Sequence, residues 1–149
     1  MVYFVNLRME NLFKEKTKQK KILFVCVENA GRSQMAEAFF RKYAPEGYES
    51  ASAGTKPALE VHPVVFEVMN EIGIDLGKQK PKDLTRKIIA DSILSVNMGC
   101  MDKTACPIVF ITNFLDWNIE DPKGKSIDKV REIRDNIELK VRQLCKTLD

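Results

Sequence analysis

Apolar and polar residues follow two periods along this chain, one typical of buried strands and one typical of helices. The runs Lys21–Val27 and Pro107–Thr112 are short and almost continuously apolar, which is typical of strands buried on both faces. Two further strands are predicted at Tyr48–Ala53 and Asp91–Val96. Elsewhere apolar residues recur every three or four positions, and this spacing predicts amphipathic helices.

Three helices follow from that spacing. The first covers the amphipathic stretch Gln34–Phe40, and the second opens at Val61–Pro63 with proline in its first turn. The last helix has the clearest stripe, with Ser126 as its candidate N-cap. Its apolar residues are Ile127, Val130, Ile133, Ile137, Val141, Leu144 and Leu148. Cys145 lies beside this stripe and is predicted to be a buried structural thiol.

Alternating strands and helices imply an α/β fold: one three-layer domain with a four-stranded parallel sheet flanked by helices. Ligands of such sheets bind outside the carboxyl ends of the strands. Three loops with chemically active residues begin there, at Cys26–Ser33, Met98–Cys106 and Asn113–Pro122. We therefore expect all three loops on one rim of the molecule.

The chain has 149 residues and a net charge of +3, all of it in residues 1–20. Residues 21–149, the predicted domain, hold 19 basic and 19 acidic residues, so we expect no nucleic acid and no membrane as partner. The apolar patch Val2–Val5 is too short for a signal peptide, which predicts a cytoplasmic protein. The basic extension 1–20 is a frayed segment, a docking helix or sequence upstream of a start at Met9.

The first loop carries the most specific chemistry. Cys26 and Arg32 stand six positions apart, across a turn between the predicted first strand and first helix. Inward N–H groups of such a turn, at the positive end of the helix dipole, suit a tetrahedral oxyanion. The loop comprises Val27, Glu28, Asn29, Ala30, Gly31 and Arg32.

Three residues of this loop have predicted roles. We expect the local positive field to lower the pKa of Cys26 and keep it as a nucleophilic thiolate. Arg32 can grip two oxygens of the anion, and Ser33 suits both the helix N-cap and a hydroxyl donor to the sulfur. The alternative is a buried cysteine beside a surface arginine, since C-x5-R-S strings arise by chance, but the flanking strand and helix favour a site.

Cys100 and Cys106 lie in the second loop, where they bracket the polar stretch Met101–Ala105. Two thiols this close in sequence can form a local disulfide if the segment bends. A zinc site is disfavoured, because the only histidine, His62, begins a helix and no C-x2-C pair is present. Two semi-buried structural cysteines are the remaining alternative, and the position on the rim favours redox chemistry over it.

Asp121 in the third loop precedes a proline, which biases it towards an extended turn. A carboxylic acid at this rim can protonate a leaving oxygen. Asp116 and Glu120 are alternatives for the same role. Asp-Pro alone is a common turn signal, so the weight of Asp121 comes from sharing a rim with Cys26.

Together these segments resemble the low-molecular-weight protein tyrosine phosphatase superfamily and, within it, the thioredoxin-coupled arsenate reductases. The resemblance covers about residues 21–148 and includes several motifs in family order. The matching segments are Ile22–Ala36, Ser52–Thr55, Val61–Pro63, Met98–Pro107, Trp117–Pro122 and Arg131–Ile137.

The resemblance implies a relay of three thiols that needs no cofactor. Cys26 would attack the arsenic of arsenate held by the loop, while Asp121 protonates the departing oxygen. Cys100 would then attack Cys26 and release arsenite. Cys106 would resolve this disulfide to Cys100–Cys106, which a thioredoxin-like reductant would reduce.

The family also implies two points about the surroundings of the loop. In some relatives a potassium ion steadies it, and the corresponding residues here are Asn29, Glu37, Ser52 and Asp83. Relatives commonly have glycine where this chain has Glu28, whose carboxylate would repel an anion unless it points outward. The spacing of the two later cysteines differs from that of some members, which leaves the reductant open.

Two other functions stay open. A phosphatase acting on phosphotyrosine or a small phosphate ester needs only Cys26, Arg32 and Asp121. Against it, Lys123-Gly124 replaces an aromatic pair that would stack on a phenyl ring, and the paired thiols would have no role. The third possibility is a non-enzymatic sensor whose thiols capture arsenite or report oxidation.

Overall fold

The computed structural model describes residues 19–99 and 113–148. Four strands and four helices are found within these ranges. In chain order they are β1 (Lys20–Cys26), α1 (Arg32–Tyr43), β2 (Tyr48–Gly54), α2 (Pro63–Asn70), α3 (Arg86–Ala90), β3 (Leu94–Asn97), β4 (Phe114–Asp116) and α4 (Ile127–Thr147).

The four described strands form one parallel sheet in the order β2-β1-β3-β4. Cys26 at the end of β1 pairs with Gly54 at the end of β2, and Val25 pairs with Asn97 at the end of β3. The carboxyl ends of the strands therefore meet at one edge. The predicted α/β class with a four-stranded parallel sheet is confirmed.

Helices cover both faces of the sheet because β1 is apolar on both sides. Ile22 and Phe24 face a large apolar cluster that includes residues of α1, α2 and α4. Leu23 and Val25 face a smaller cluster completed by Ile89 of α3. All four β1 residues are almost completely buried. This alternation produces three layers and fixes the position of Cys26 at the end of a rigid strand.

The third strand is shorter than predicted. Asp91–Val96 was expected to be extended, whereas the strand covers Leu94–Asn97 because α3 precedes it. The side chain of Thr85 caps this helix by accepting the N–H of Ile88 at 3.2 Å. The N–H of Asp91 donates to the carbonyl of Lys87, so Asp91 ends the helix instead of beginning the strand.

The predicted strand Pro107–Thr112 lies outside the described residues. The segment Asn113–Pro122 was expected to be a loop, and this is wrong for its first part, because Phe114–Asp116 forms β4. These residues give β3 its second parallel neighbour, and Ser95 N–H donates to the carbonyl of Asn113 at 3.1 Å. Pairing the backbone groups of β3 favours a strand there over a loop.

The last helix agrees with its predicted stripe. The hydroxyl of Ser126 accepts the N–H of Lys129 at 3.2 Å, which confirms Ser126 as the N-cap. Cys145 is half-buried instead of buried, because it lies at the margin of the apolar face, and its partial burial raises the pKa of its thiol. No helix in the described ranges combines the length and apolarity needed to cross a bilayer.

Candidate active site

The loop between β1 and α1 surrounds the sulfur of Cys26. The cysteine is 3% exposed and stands where the strand ends. Its Sγ lies 2.8 Å from the hydroxyl oxygen of Ser33, in the first turn of α1. The backbone N–H of Asn29 donates to the same sulfur at 3.2 Å. Donors on two sides of the sulfur suit a negatively charged thiolate.

The loop is oriented by the segment 55–62, which runs beside it. N–H groups of this segment bind carbonyls on the outer side of the loop. The pairs are Thr55 to Cys26 at 3.3 Å, Lys56 to Val27 at 2.8 Å, Ala58 to Glu28 at 2.9 Å and His62 to Ala30 at 2.9 Å. Across a trans peptide the C=O and the next N–H point in opposite directions. The N–H groups that follow these carbonyls therefore face the interior of the loop.

Asn29 is the centre of a hydrogen-bond network behind the sulfur. Its Oδ1 accepts the backbone N–H of Lys82 at 2.9 Å, and this fixes the orientation of its amide. The amide nitrogen then donates to the hydroxyl of Ser33 at 2.6 Å. With this bond made, the hydroxyl can donate its own hydrogen to a thiolate at Cys26. Asn29 is fully buried and has a positive φ of 50°, so its position is strictly determined by the loop.

Gly54 lets the loop lie against the end of β2. A Cβ at this position would be 2.4 Å from the carbonyl oxygen of Val27 and 2.9 Å from the backbone nitrogen of Asn29. Both distances are too short for a side chain atom. The close approach of two backbones therefore requires glycine here.

Arg32 joins the loop to the segment after β4. Its guanidinium donates to the carbonyl of Ile119 at 2.7 Å, and its Nη2 lies 3.6 Å from Oδ2 of Asp121. The arginine side chain is 6% exposed and that of Asp121 is 60% exposed. Arg32 is thus held in the wall of the cavity, with Asp121 further out.

Cys26, Arg32 and Asp121 line one cavity of about 290 Å³. Such a volume exceeds that of several water molecules, at about 30 Å³ each, and accommodates a tetrahedral oxyanion. The cavity is lined by Cys26, Val27, Glu28, Ala30, Gly31, Arg32, His62, Asp121 and Lys123. The first and third predicted loops therefore meet, while Cys100 and Cys106 lie outside the described residues.

Three sequence-based expectations need correction or comment. Ser33 is not the N-cap: Gly31 occupies that position, because α1 begins at Arg32, and Ser33 lies inside the first turn. Neither Asp116 nor Glu120 lines the cavity. Glu120 binds Lys129 and Lys125 on the surface, and the hydrogen bond from Lys129 is the main cause of the lowered pKa of its carboxyl.

Glu28 lines the cavity, but two basic side chains engage its carboxylate. Oε1 accepts from Nζ of Lys123 at 2.8 Å, and Oε2 lies 3.1 Å from Nε2 of His62. The hydrogen bond from Lys123 is the main cause of the lowered pKa of Glu28. His62 is the N-cap residue of α2, at the predicted start of that helix, and also lines the cavity. The roles of His62 and Lys123 here were missed, since 34 and 95 positions separate them from Glu28.

Three of the four residues expected to bind potassium, Asn29, Glu37 and Ser52, already make polar contacts within the protein. Oδ1 of Asn29 accepts two hydrogen bonds, from Lys82 N–H at 2.9 Å and from Gln34 at 3.1 Å. Ser52 donates to Glu37 at 3.0 Å, and Nζ of Lys82 lies 3.8 Å from the other oxygen of Glu37. The side chain of the remaining residue, Asp83, is exposed.

This arrangement does not fit a potassium ion. Among the described residues, every buried side-chain nitrogen and oxygen already has a hydrogen-bond partner. The ammonium of Lys82 already supplies a positive charge beside Glu37. The described part of the chain also contains no cluster of three or more His, Cys, Asp or Glu residues that could hold a metal.

Two glutamines extend the network behind the loop and were missed by the sequence analysis. Gln34 donates to the backbone carbonyl of Asn29 at 2.9 Å. Gln79 donates to both the backbone carbonyl and the side-chain oxygen of Gln34, at 3.1 and 2.6 Å. Gln34 is completely buried on a helix, and a buried glutamine must be hydrogen-bonded. Gln34 directly follows Ser33 in the sequence, and this position next to the loop was the signal that could have identified it.

Comparisons with known sequences agree with this geometry. A family model described as low molecular weight phosphotyrosine protein phosphatase matches residues 21–149. A putative arsenate reductase of Halobacterium salinarum is 39% identical over 126 residues, which are 81% of this chain and 87% of that protein. A glutaredoxin arsenate reductase of Synechocystis is 34% identical over 127 residues, which are 84% of this chain and 95% of that protein.

Solved structures have the same fold. A thioredoxin-dependent arsenate reductase of Corynebacterium glutamicum has a TM-score of 0.75 at 38% identity; it covers 89% of this chain, which spans 63% of its length. An arsenate reductase in the phosphate binding state has a TM-score of 0.78 at 30% identity, and the match covers 88% of this chain and 100% of that one. The YwlE arginine phosphatase of Geobacillus stearothermophilus has a TM-score of 0.76 at 27% identity, and the match covers 86% of this chain and 92% of that one.

Proposed function

Because the chain belongs to the low-molecular-weight phosphotyrosine protein phosphatase family, we propose that it reduces arsenate to arsenite through Cys26, Cys100 and Cys106. The observation that carries the proposal is the sulfur of Cys26, which accepts an N–H and contacts a hydroxyl beside an arginine-walled cavity. The choice of arsenate is supported by the names of the relatives. The two later cysteines give this chain a source of electrons.

In the first step the Cys26 thiolate attacks arsenic. A sulfur–arsenic bond forms and one arsenic–oxygen bond breaks. The departing oxygen takes a proton from Asp121 and leaves as water. The amide groups of the loop and Arg32 bind the remaining oxygens and stabilise the negative charge that they carry.

The next two steps supply the electrons. The thiolate of Cys100 attacks the sulfur of Cys26, and a disulfide forms as the sulfur–arsenic bond breaks. The electron pair of that bond stays on arsenic, which is reduced from As(V) to As(III) and leaves as arsenite. Cys106 then attacks Cys100 and frees the Cys26 thiolate. The two electrons come from two thiols, so the reaction needs no cofactor.

A dithiol reductant must reopen the Cys100–Cys106 disulfide. We assign this role to a thioredoxin-like protein, supported by the description of the Corynebacterium structure as thioredoxin-dependent. The glutaredoxin named for the Synechocystis relative is the alternative reductant for the assay. Because the relay begins with free thiols, we place the protein in the cytoplasm, where thiols are kept reduced. We assign the activity to residues 21–149.

The test is arsenate-dependent oxidation of thioredoxin, followed in the wild type and in serine variants of each cysteine. We expect Cys26→Ser to be inactive, and Cys100→Ser and Cys106→Ser to lose multiple turnover. Cys145→Ser is the matched control and should retain activity, because Cys145 does not line the cavity. Normal cycling by both Cys100→Ser and Cys106→Ser would contradict the relay.

A phosphatase is the second candidate, because the described cavity already contains every residue that phosphate-ester hydrolysis needs. The similarity to the YwlE arginine phosphatase supports this candidate. Rapid hydrolysis of phosphate esters, together with normal turnover by the Cys100→Ser and Cys106→Ser variants, would favour the phosphatase. If neither arsenate nor esters turned over, a sensor that binds arsenite through its thiols would replace both candidates.

A further inference from the structure

The cavity has a buried floor and a polar rim of opposite charges. Cys26 and Arg32 are 3% and 6% exposed, whereas the side chains of Glu28 and Lys123 are 35% and 62% exposed. Glu28 belongs to the anion loop and Lys123 to the segment after Asp121. Their 2.8 Å ion pair therefore joins two walls of the cavity on its solvent side.

The pair is supported at both ends. His62 contacts the second oxygen of Glu28 at 3.1 Å. The backbone N–H of Lys123 donates to the carboxylate of Asp121 at 3.0 Å, which fixes the start of the lysine side chain beside the cavity. The carbonyl of Glu28 is bound by the N–H of Ala58. These contacts hold the two charged side chains in place across the rim.

We infer that the Glu28–Lys123 ion pair selects free inorganic oxyanions over esters by closing the mouth of the cavity. The inference deepens the proposed function, since it rests on an inorganic anion being the ligand. A free tetrahedral anion places three of its oxygens against the loop and Arg32, and its fourth oxygen, directed away from Cys26, carries no substituent that must pass the ion pair. An ester has one substituent directed away from Cys26, in line with the attacking sulfur, and that substituent must pass through the mouth.

An ester therefore has to separate Glu28 from Lys123, and a free anion does not. A partly exposed ion pair is worth up to about fivefold in an equilibrium constant. Its carboxylate also repels any anionic group placed at the mouth. We expect the wild type to bind inorganic phosphate about fivefold more tightly than phenylphosphonate, a non-hydrolysable analogue with the same tetrahedral head.

The experiment measures the dissociation constants of both ligands by calorimetry on reduced protein. The variants are Glu28→Ala and Lys123→Ala, which change the net charge of the cavity in opposite directions. If the ion pair closes the mouth, both variants bring the two constants to within about twofold of each other. If charge alone matters, Glu28→Ala strengthens the binding of both ligands and Lys123→Ala weakens it. The ratio of the two dissociation constants then stays at the wild-type value. That second result would overturn the inference.

Lys129→Ala is the control, because Lys129 also pairs with a glutamate, at 3.2 Å, but lies outside the cavity. It should preserve the wild-type ratio of the two dissociation constants.

Glu28→Gln keeps the length of the side chain without its charge and should give an intermediate ratio. Binding does not depend on reduction of arsenic, so failure of the arsenate assay would leave this result standing. Equal binding of both ligands by the wild type would also overturn the inference.

Discussion

Ser33 Oγ lies 2.8 Å from Cys26 Sγ, and the same oxygen accepts a hydrogen bond from the buried amide of Asn29 at 2.6 Å. The backbone of Lys82 fixes that amide in turn, at 2.9 Å. The reactivity of the sulfur therefore depends on a chain of donors that begins 56 positions away along the sequence, at Lys82. The side chains of Ser33 and Asn29 can be removed separately by substitution, whereas Lys82 contributes a backbone N–H.

Replacing Ser33 with alanine should shift the alkylation of Cys26 to higher pH. A hydrogen bond to a charged group contributes about 1.5–3 kcal/mol, so we expect the midpoint of the rate profile to rise by about one to two pH units. The rate of iodoacetamide labelling, measured from pH 5 to pH 9, tests this. Ser50→Ala removes a half-buried serine that bonds the carbonyl of Glu37 and should leave the profile unchanged. An unmoved midpoint in Ser33→Ala would refute a role for the hydroxyl.

Gly54→Ala should weaken phosphate binding and destabilise the fold. Its Cβ would meet the carbonyl of Val27 at 2.4 Å, so the anion loop must move, at a cost of about 1–3 kcal/mol. Calorimetry with phosphate and thermal unfolding measure the two effects. Gly47→Ala is the control: its φ of 90° makes alanine strained, but no atom lies within 4 Å of the new Cβ. It should lower stability and preserve phosphate binding.

Potassium should not stimulate the wild-type enzyme relative to sodium. Lys82 stands beside Glu37, and the side-chain oxygens of Asn29, Glu37 and Ser52 already make polar contacts. Lys82→Met removes this charge, so we expect activity to fall about threefold and to be restored in part by potassium. Lys80→Met makes the same change in net charge and should give no potassium response. Equal stimulation of wild type and Lys82→Met would show that Lys82 does not replace the ion.

Acid should remove one link between α2 and α4. Glu71 binds Arg131 through three contacts of 2.6–3.1 Å and Arg134 at 3.0 Å, and the bond from Arg131 is the main cause of its lowered pKa. A pKa lowered by folding stabilises the protein above the ordinary glutamate pKa of 4.5, and this stabilisation is lost as the pH falls through the lowered value.

Glu71→Gln therefore should be less stable than the wild type at pH 7, and the two should converge once the pH falls below the lowered pKa of Glu71. Urea unfolding of both proteins across this range measures the difference in free energy. Salt should reduce the difference at pH 7, because the pair is partly exposed. A difference that persists unchanged at pH 3 would mean that the charge of Glu71 is not its source.

The sequence predicted the rim that contains the cavity because that rim follows from topology. Strands that are buried on both faces pair in parallel, and their carboxyl ends meet at one edge. This rule brings Cys26, Arg32 and Asp121 to one edge of the sheet from the sequence alone, and all three line one cavity. A local signal identified Ser126 as a cap: a serine directly precedes the apolar stripe, and the helix begins at the next residue.

What the sequence could not predict depends on contacts between distant segments. Lys123 neutralises Glu28 from 95 positions away, and Gln79 supports Gln34 from 45 positions away. No periodic pattern encodes such pairs. The cap assigned to Ser33 failed for a different reason: helix boundaries inferred from a pattern are uncertain by one or two residues, and a cap is a single position.

The most direct test of an activated Cys26 compares the labelling of Cys26 and Cys145 by iodoacetamide at pH 6, quantified by peptide mass spectrometry. We expect fast labelling of Cys26, slowed at least tenfold by saturating arsenate or phosphate. We expect slow, anion-insensitive labelling of Cys145, because burial raises the pKa of that thiol. Equal labelling of the two cysteines, unaffected by either anion, would contradict a thiolate held in an oxyanion site.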